Sequence, residues 1–213
     1  MTTILLTGFE PFGGDGSNPS GDAVRLVASS WTGPEHLVTA VLPVTFGGAA
    51  AELVRLIAEH SPDLVVATGL AGSRAVISVE RVAVNLTDAR IPDNAGMQPV
   101  DGPSVDGAPA AYFATIPVKA IARDIAAAGI PSEVSHSAGT FVCNHAFFAA
   151  VHAGAQRPGM RAGFVHVPWD AEHAPSADAA SLPLAEIARA LEIALRTGIR
   201  TEEDFAISAG TLS

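Results

Sequence analysis

Ile4–Ser30 reads ILLTGFEPFGGDGSNPSGDAVRLVASS, and this stretch sets the fold class. The apolar run Ile4–Thr7 ends on a glycine, the signature of a short buried strand. Gly8–Asn18 follows as a loop with glycines at 8, 13, 14 and 16 and phenylalanines at 9 and 12. Asn18-Pro19 opens a helix, with Asn18 as N-cap and Pro19 in the first helical position. Working outward, the pattern repeats. Strands are expected over His36–Pro43, Leu64–Thr68, Ser132–His136 and Gly163–Val167. Val76–Leu86 is expected to form a longer strand or a hairpin. Helices are expected over Ala49–Glu59, Pro117–Ala128, Thr140–Ala155 and Leu184–Arg196, the last with Leu184, Ile187, Ala188, Leu191 and Leu195 on one face. Strands alternating with helices make an α/β sheet covered on both faces. Thr87–Ala108 is polar, proline-rich and long, and loops of that length in compact chains carry function or contacts of their own. Thr201–Ser213 is weakly patterned, a tail expected to fray or to dock on a partner subunit.

The chain has 213 residues, 48% hydrophobic and 16% charged, a globular composition expected to form one domain over 1–213. Its formal net charge is −10, and it carries no Lys/Arg cluster, which argues against nucleic-acid or anionic-membrane partners. The start MTTILLTGFEPFGG lacks the basic opening and long apolar run of a secretory signal. No apolar stretch reaches the roughly 18 residues of a membrane span. A single cysteine forms no internal disulfide, and a cytoplasmic location is expected.

Three residues draw attention for chemistry. Cys143, in HSAGTFVCNHAFF, falls at the start of an expected helix, where the macrodipole lowers a thiol pKa and backbone N–H groups can meet an oxyanion. On its own, a lone cysteine is more often buried and inert. His166, in GFVHVPWD, lies near the carboxyl end of an apolar strand, where α/β sites collect; a core histidine bonded to backbone is the commoner outcome. Glu80, in VISVERVAVN, sits among apolar neighbours and needs a partner. That partner is Arg74 or Arg81, a structural pair, or the imidazole of His166. The glycine loop is neither a Walker A motif nor a G-x-G-x-x-G turn. It suits an anion before a helix start, or a small flat ligand walled by Phe9 and Phe12. A phosphate-dependent nucleoside enzyme or a small-molecule binding protein is the alternative it leaves open. Cys143, His136, His145, His166 and His173 lack the spacing of a metal motif, so neither metal nor other cofactor is expected.

Taken together, LLTGFEPFGG with SNPS, GLAGSRAVISVERVAVNLTDARIPDNAG, SAGTFVCNH and GFVHVPW resemble the pyroglutamyl peptidase I family, in order and at near-constant spacing over nearly the whole chain. The resemblance implies a cysteine omega-peptidase that removes an N-terminal pyroglutamate from peptides and proteins. It implies a three-layer α/β/α sandwich with a central mixed, mostly parallel sheet, and commonly a homotetramer. It places the triad on Cys143, His166 and Glu80. It places ring binding on Phe9, Phe12, Phe141 and Ile91, with Asn18 as polar support and Arg90 near the oxyanion. Leu70 stands where the family usually has glutamine, Ser73 and Phe148 where glycine and tyrosine are usual, and Asp170–His173 departs from the usual ending.

Overall fold

The computed structural model describes residues 1–176 and 178–210. Six strands form the central sheet, in the order β2 (His36–Leu42), β1 (Thr3–Phe9), β3 (Leu64–Leu70), β8 (Arg161–Val167), β4 (Ile77–Glu80), β7 (Ser132–Ser135). The first four run parallel; β4 and β7 are parallel to each other and antiparallel to β8. The sheet is therefore mixed and mostly parallel, as expected.

Alternation along each strand sends side chains to two layers. Ile4, Leu6, Leu64, Val66, Ile77, Val79, Val165 and Val167 face helices α1 (Pro19–Ser30), α3 (Val118–Ala127) and α5 (Leu184–Arg200). Leu5, Val65, Ala67, Ala162 and Phe164 face α2 (Phe46–His60) and α4 (Val142–Ala155). Helices thus cover both faces. Asn18 caps α1, its Oδ1 accepting from the Ser20 N–H at 3.1 Å, with Pro19 following at N1.

Three differences from the sequence reading matter. Val76–Leu86 is neither one strand nor a hairpin. It breaks at Arg81, whose N–H still reaches Ser135 O, after which β5 (Val82–Val84) leaves the sheet and pairs with β6 (Ala111–Phe113). A short strand after β8, β9 (Trp169–Asp170), pairs with β10 (Ser181–Leu182), and neither carries a sequence pattern of its own. The tail through Gly210 docks on its own chain. Asp204 accepts from the N–H groups of Lys119 and Ala120 at 3.0 Å each, capping α3, and Arg123 lies over the Phe205 ring at 4.0 Å. The expectation for 211–213 lies outside the described residues.

The loop 87–108 is knit rather than loose. Thr87 and Gly102 exchange backbone hydrogen bonds, and buried Asp93 accepts from Phe46 N at the start of α2 and from Ala95 N and Met97 N. Asn94 holds the glycine loop, accepting from Gly13 N and donating to Pro11 O. No described helix is long and apolar enough to cross a membrane.

Candidate active site

In the antiparallel β4–β8 register Ser78 lies opposite His166 and Glu80 opposite Phe164. Glu80 and His166 are therefore diagonal neighbours on one face, within side-chain reach. That face is the one covered by α4. His166 Nδ1 sits 2.7 Å from Glu80 Oε1. The carboxylate accepts, so the imidazole proton belongs on Nδ1 and leaves Nε2 with its lone pair free. Arg74 Nη1 donates to the same Oε1 at 2.6 Å and Nη2 donates to Ser137 O at 2.8 Å. Both partners that the sequence offered for Glu80 through Arg74 and His166 are thus engaged at once, whereas Arg81 continues the backbone ladder.

Cys143 stands in the first turn of α4, after Phe141 as N-cap, which supplies no side-chain cap. Gly69 of β3 lies opposite His166 in the parallel register. A Cβ on Gly69 would fall 2.6 Å from Cys143 Sγ, so the thiol rests over Gly69, the strand neighbour of His166, in space that only glycine leaves open. The helix start is stapled in place by two neighbours of the cysteine. The fully buried Asn144 accepts from Val84 N at 3.0 Å and donates to Val84 O and Leu86 O at 2.9 and 3.2 Å. It satisfies both backbone groups of Val84 on the side away from β6, as another strand would. Thr140 Oγ1 donates to Asp88 O at 2.7 Å, and Asp88 N donates to Thr140 O.

Burial decides the charge states. It pushes the Cys143 thiol up to about 12, helped by the Glu80 carboxylate and opposed by Arg74. It pushes His166 below its ordinary value against the pull of Glu80. For Glu80 burial acts upward, but the hydrogen bond and charge of His166, with Arg74 behind, outweigh it and hold the carboxyl below its usual range. The helix start favours a thiolate by at most about 2 kcal/mol, roughly 1.5 pH units, which does not offset the upward push. These shifts favour a neutral thiol beside a neutral imidazole, although the thiol is only half-buried and borders the cleft. This push opposes the lowering expected from the helix start: the dipole is a local property and desolvation is not.

A cleft of about 390 Å³ opens at Cys143, within the range of small-molecule sites. Phe9, Phe12, Asn18, Leu70, Arg90, Ile91 and Phe141 all line it, joined by Trp169, Gly72, Val44, Asp15, Asp88 and Thr140. These come from the carboxyl ends of the four parallel strands, from loop 87–108 and from the start of α4. The Phe12 and Phe141 rings meet edge-on at 5.5 Å, and Phe46 backs Phe141 at 5.3 Å. Asn18 faces the cleft with its carboxamide already employed: Oδ1 accepts from Ser20 N and Oγ, and Nδ2 donates to Glu10 O. Its part is to shape the loop. Four of the loop's N–H groups are already engaged, those of residues 9, 10, 13 and 15 donating to Ser20 Oγ, Leu42 O, Asn94 Oδ1 and Phe12 O. Ser73 is exposed and Phe148 is buried beside Tyr112, neither lining the cleft. Asp170 is buried, and its Oδ1 caps the turn at Glu172 and His173 and meets the His173 ring at 2.8 Å.

A profile of the pyroglutamyl peptidase family matches residues 2–201. The chain belongs to the pyroglutamyl peptidase family. It is 46% identical to the pyrrolidone-carboxylate peptidase of Clavibacter michiganensis subsp. michiganensis over 212 residues, with all of both chains covered. The namesake of Streptomyces coelicolor is also 46% identical, with 99% of both chains covered. The crystal structure of pyroglutamyl peptidase I from Bacillus amyloliquefaciens superposes with a TM-score of 0.93 at 42% identity, covering 97% of this chain and 99% of that one. That of pyrrolidone carboxyl peptidase from Thermococcus litoralis gives 0.89 at 38% identity, covering 94% of each. Asn144, Thr140, Trp169 and Gly69 are the supports that sequence reasoning missed. Asn144 adjoins the cysteine in the CNH segment, and a polar residue inside an almost wholly buried helix is the signal that would have found it.

Proposed function

We infer that the chain is a cysteine omega-peptidase that hydrolyses the bond after an N-terminal pyroglutamate in peptides and proteins. One observation carries this reading beyond family membership: the Cys143 thiol, seated over His166 and its Glu80 anchor, opens onto a cleft walled by Phe9, Phe12 and Phe141. A lactam is flat and neutral, and an aromatic slot matches it; no acidic group is needed for an ammonium, because the terminal nitrogen is already acylated.

As Sγ attacks the carbonyl carbon, the thiol proton passes to His166 Nε2. Glu80 keeps the imidazole in the required tautomer and stabilises the imidazolium. The oxyanion develops toward the uncapped N–H groups of the α4 start and toward Arg90. Collapse breaks the C–N bond, and His166 returns the proton to the departing amine. Water, deprotonated by His166, then cleaves the thioester and releases pyroglutamate. No step calls for a metal or cofactor. Leu70 borders the ring slot with an apolar side chain, and Ile91 closes it from the loop.

We read residues 1–213 as one catalytic domain, cytoplasmic and assembling as a homotetramer. The test of the function is release of aminomethylcoumarin from its pyroglutamyl derivative. Wild type should release it and Cys143→Ala should not; release by the alanine variant would rule out the thiol mechanism.

A further inference from the structure

We propose that Arg74 is a fourth, positioning member of the site: it ties Glu80 to the turn that feeds α4 and sets its positive charge on the carboxylate oxygen that anchors His166. The proposal builds on the Cys143–His166 reading above. Its ground is a shared atom. Glu80 Oε1 takes both the Arg74 guanidinium at 2.6 Å and the imidazole at 2.7 Å, while Oε2 is buried and has no hydrogen-bond partner among the described residues. The carboxylate, wholly buried, is thus anchored from one side by two donors that compete for one oxygen.

Among the described residues, the charged or titratable groups set about His166 are Glu80 from β4, Arg74 from the β3–β4 connection, and Cys143 from α4, which lies over Gly69, the residue paired with His166. A carboxylate with no other cation would draw a proton onto the imidazole and leave it unfit to accept one from the thiol. Arg74 neutralises that carboxylate and repels an imidazolium, and its influence on His166 is downward. Its second arm reaches Ser137 O, six residues before the nucleophile. One side chain therefore joins the base's anchor to the nucleophile's approach, and a bidentate guanidinium is suited to two acceptors in a plane. Arg74 touches no reacting atom.

The experiment is the pH profile of kcat/KM with pyroglutamyl-aminomethylcoumarin for wild type, Arg74→Gln and Arg74→Lys. Arg74→Gln should move the acid limb upward by about one pH unit or more, the scale of a nearby charge, since His166 then holds its proton to higher pH. Arg74→Lys should leave the limb where wild type has it. An unmoved limb in folded Arg74→Gln, or an equal shift in both variants, overturns the proposal. Where Arg74→Gln does not fold, Glu80→Gln and the double variant Glu80→Gln/Arg74→Gln carry the test; the double variant buries neither charge of the pair. The His166 titration followed by NMR should lie higher in the double variant, and equal midpoints overturn the proposal. NMR reads His166 without turnover, so a wild-type enzyme inactive on the substrate would refute the peptidase reading separately.

Discussion

Gly69→Ala is the sharpest perturbation of this site, because one methyl group separates two outcomes. Gly69 is not in the left-handed region, so alanine meets no backbone strain. The penalty comes from contact alone. The new Cβ would lie 2.6 Å from Cys143 Sγ and 3.0 Å from Phe164 Cζ. Relaxing the sulfur contact to about 3.5 Å, the short end of van der Waals separation, moves the thiol by roughly 1 Å. A misplacement of that size costs about 10²-fold in rate. Overpacking adds a stability loss of about 1–3 kcal/mol. Steady-state kinetics on pyroglutamyl-aminomethylcoumarin should show the loss mainly in kcat, and thermal unfolding should show a lowered Tm. Gly47→Ala is the control. It lies in the first turn of α2 with nothing within 4 Å of its added Cβ, and it should keep full activity with stability unchanged or raised by up to about 1 kcal/mol. Gly69→Ala activity within threefold of wild type would refute the claim that the missing side chain makes room for the nucleophile.

Burial holds His166 below its ordinary value of 6.5, so the base stays neutral to lower pH and the acid limb of kcat/KM should lie below pH 6.5; a limb at or above neutrality would contradict a neutral resting imidazole. The same shifts set stability. Below pH 6.5 the unfolded histidine takes a proton that folded His166 refuses, and the depressed Glu80 carboxyl loses its contribution as pH falls from 4.5 through its folded value, so Tm should drop steadily on acidification, as calorimetry would record. Asn144→Asp keeps the acceptor for Val84 N but turns a carboxylate toward Val84 O and Leu86 O; denaturant unfolding should show about 3 kcal/mol or more lost, and an unchanged midpoint would show that the staple is dispensable. Asp204→Ala removes the α3 cap, for about 1 kcal/mol of stability, with kcat/KM unaltered; a fall in activity would mean that the tail reaches the site.

Much of the chemistry was present in the order of residues. The Asn18-Pro19 start, the apolar runs at 4–6 and 64–67 and the stripe of α5 report which faces are buried, and burial periodicity is local. The triad candidates came from four flanking segments read jointly. Gly69 and Asn144 lie in those same segments, but their roles could not be read there, since each acts on residues at least 58 positions away: Cys143 for Gly69, Leu86 and Val84 for Asn144. The loop 87–108 read as polar and irregular, yet Asp93, Asn94 and Thr87 give it fixed partners.

By itself the sequence determined the α/β class, the order of the main strands and helices and the three side chains able to make a thiol site. Strand direction was decided elsewhere. Nothing in ISVE says that β4 runs against β8 with Ser78 opposite His166, and that register sets Glu80 diagonal to His166. The state of Cys143 was decided there too. A helix start is visible in a few residues and argues for a thiolate; the packing that crowds the sulfur is assembled from α4, β3 and β8, and it pushes the thiol the other way. Periodicity and capping depend on neighbours in the chain, while pairing direction and desolvation depend on neighbours in space.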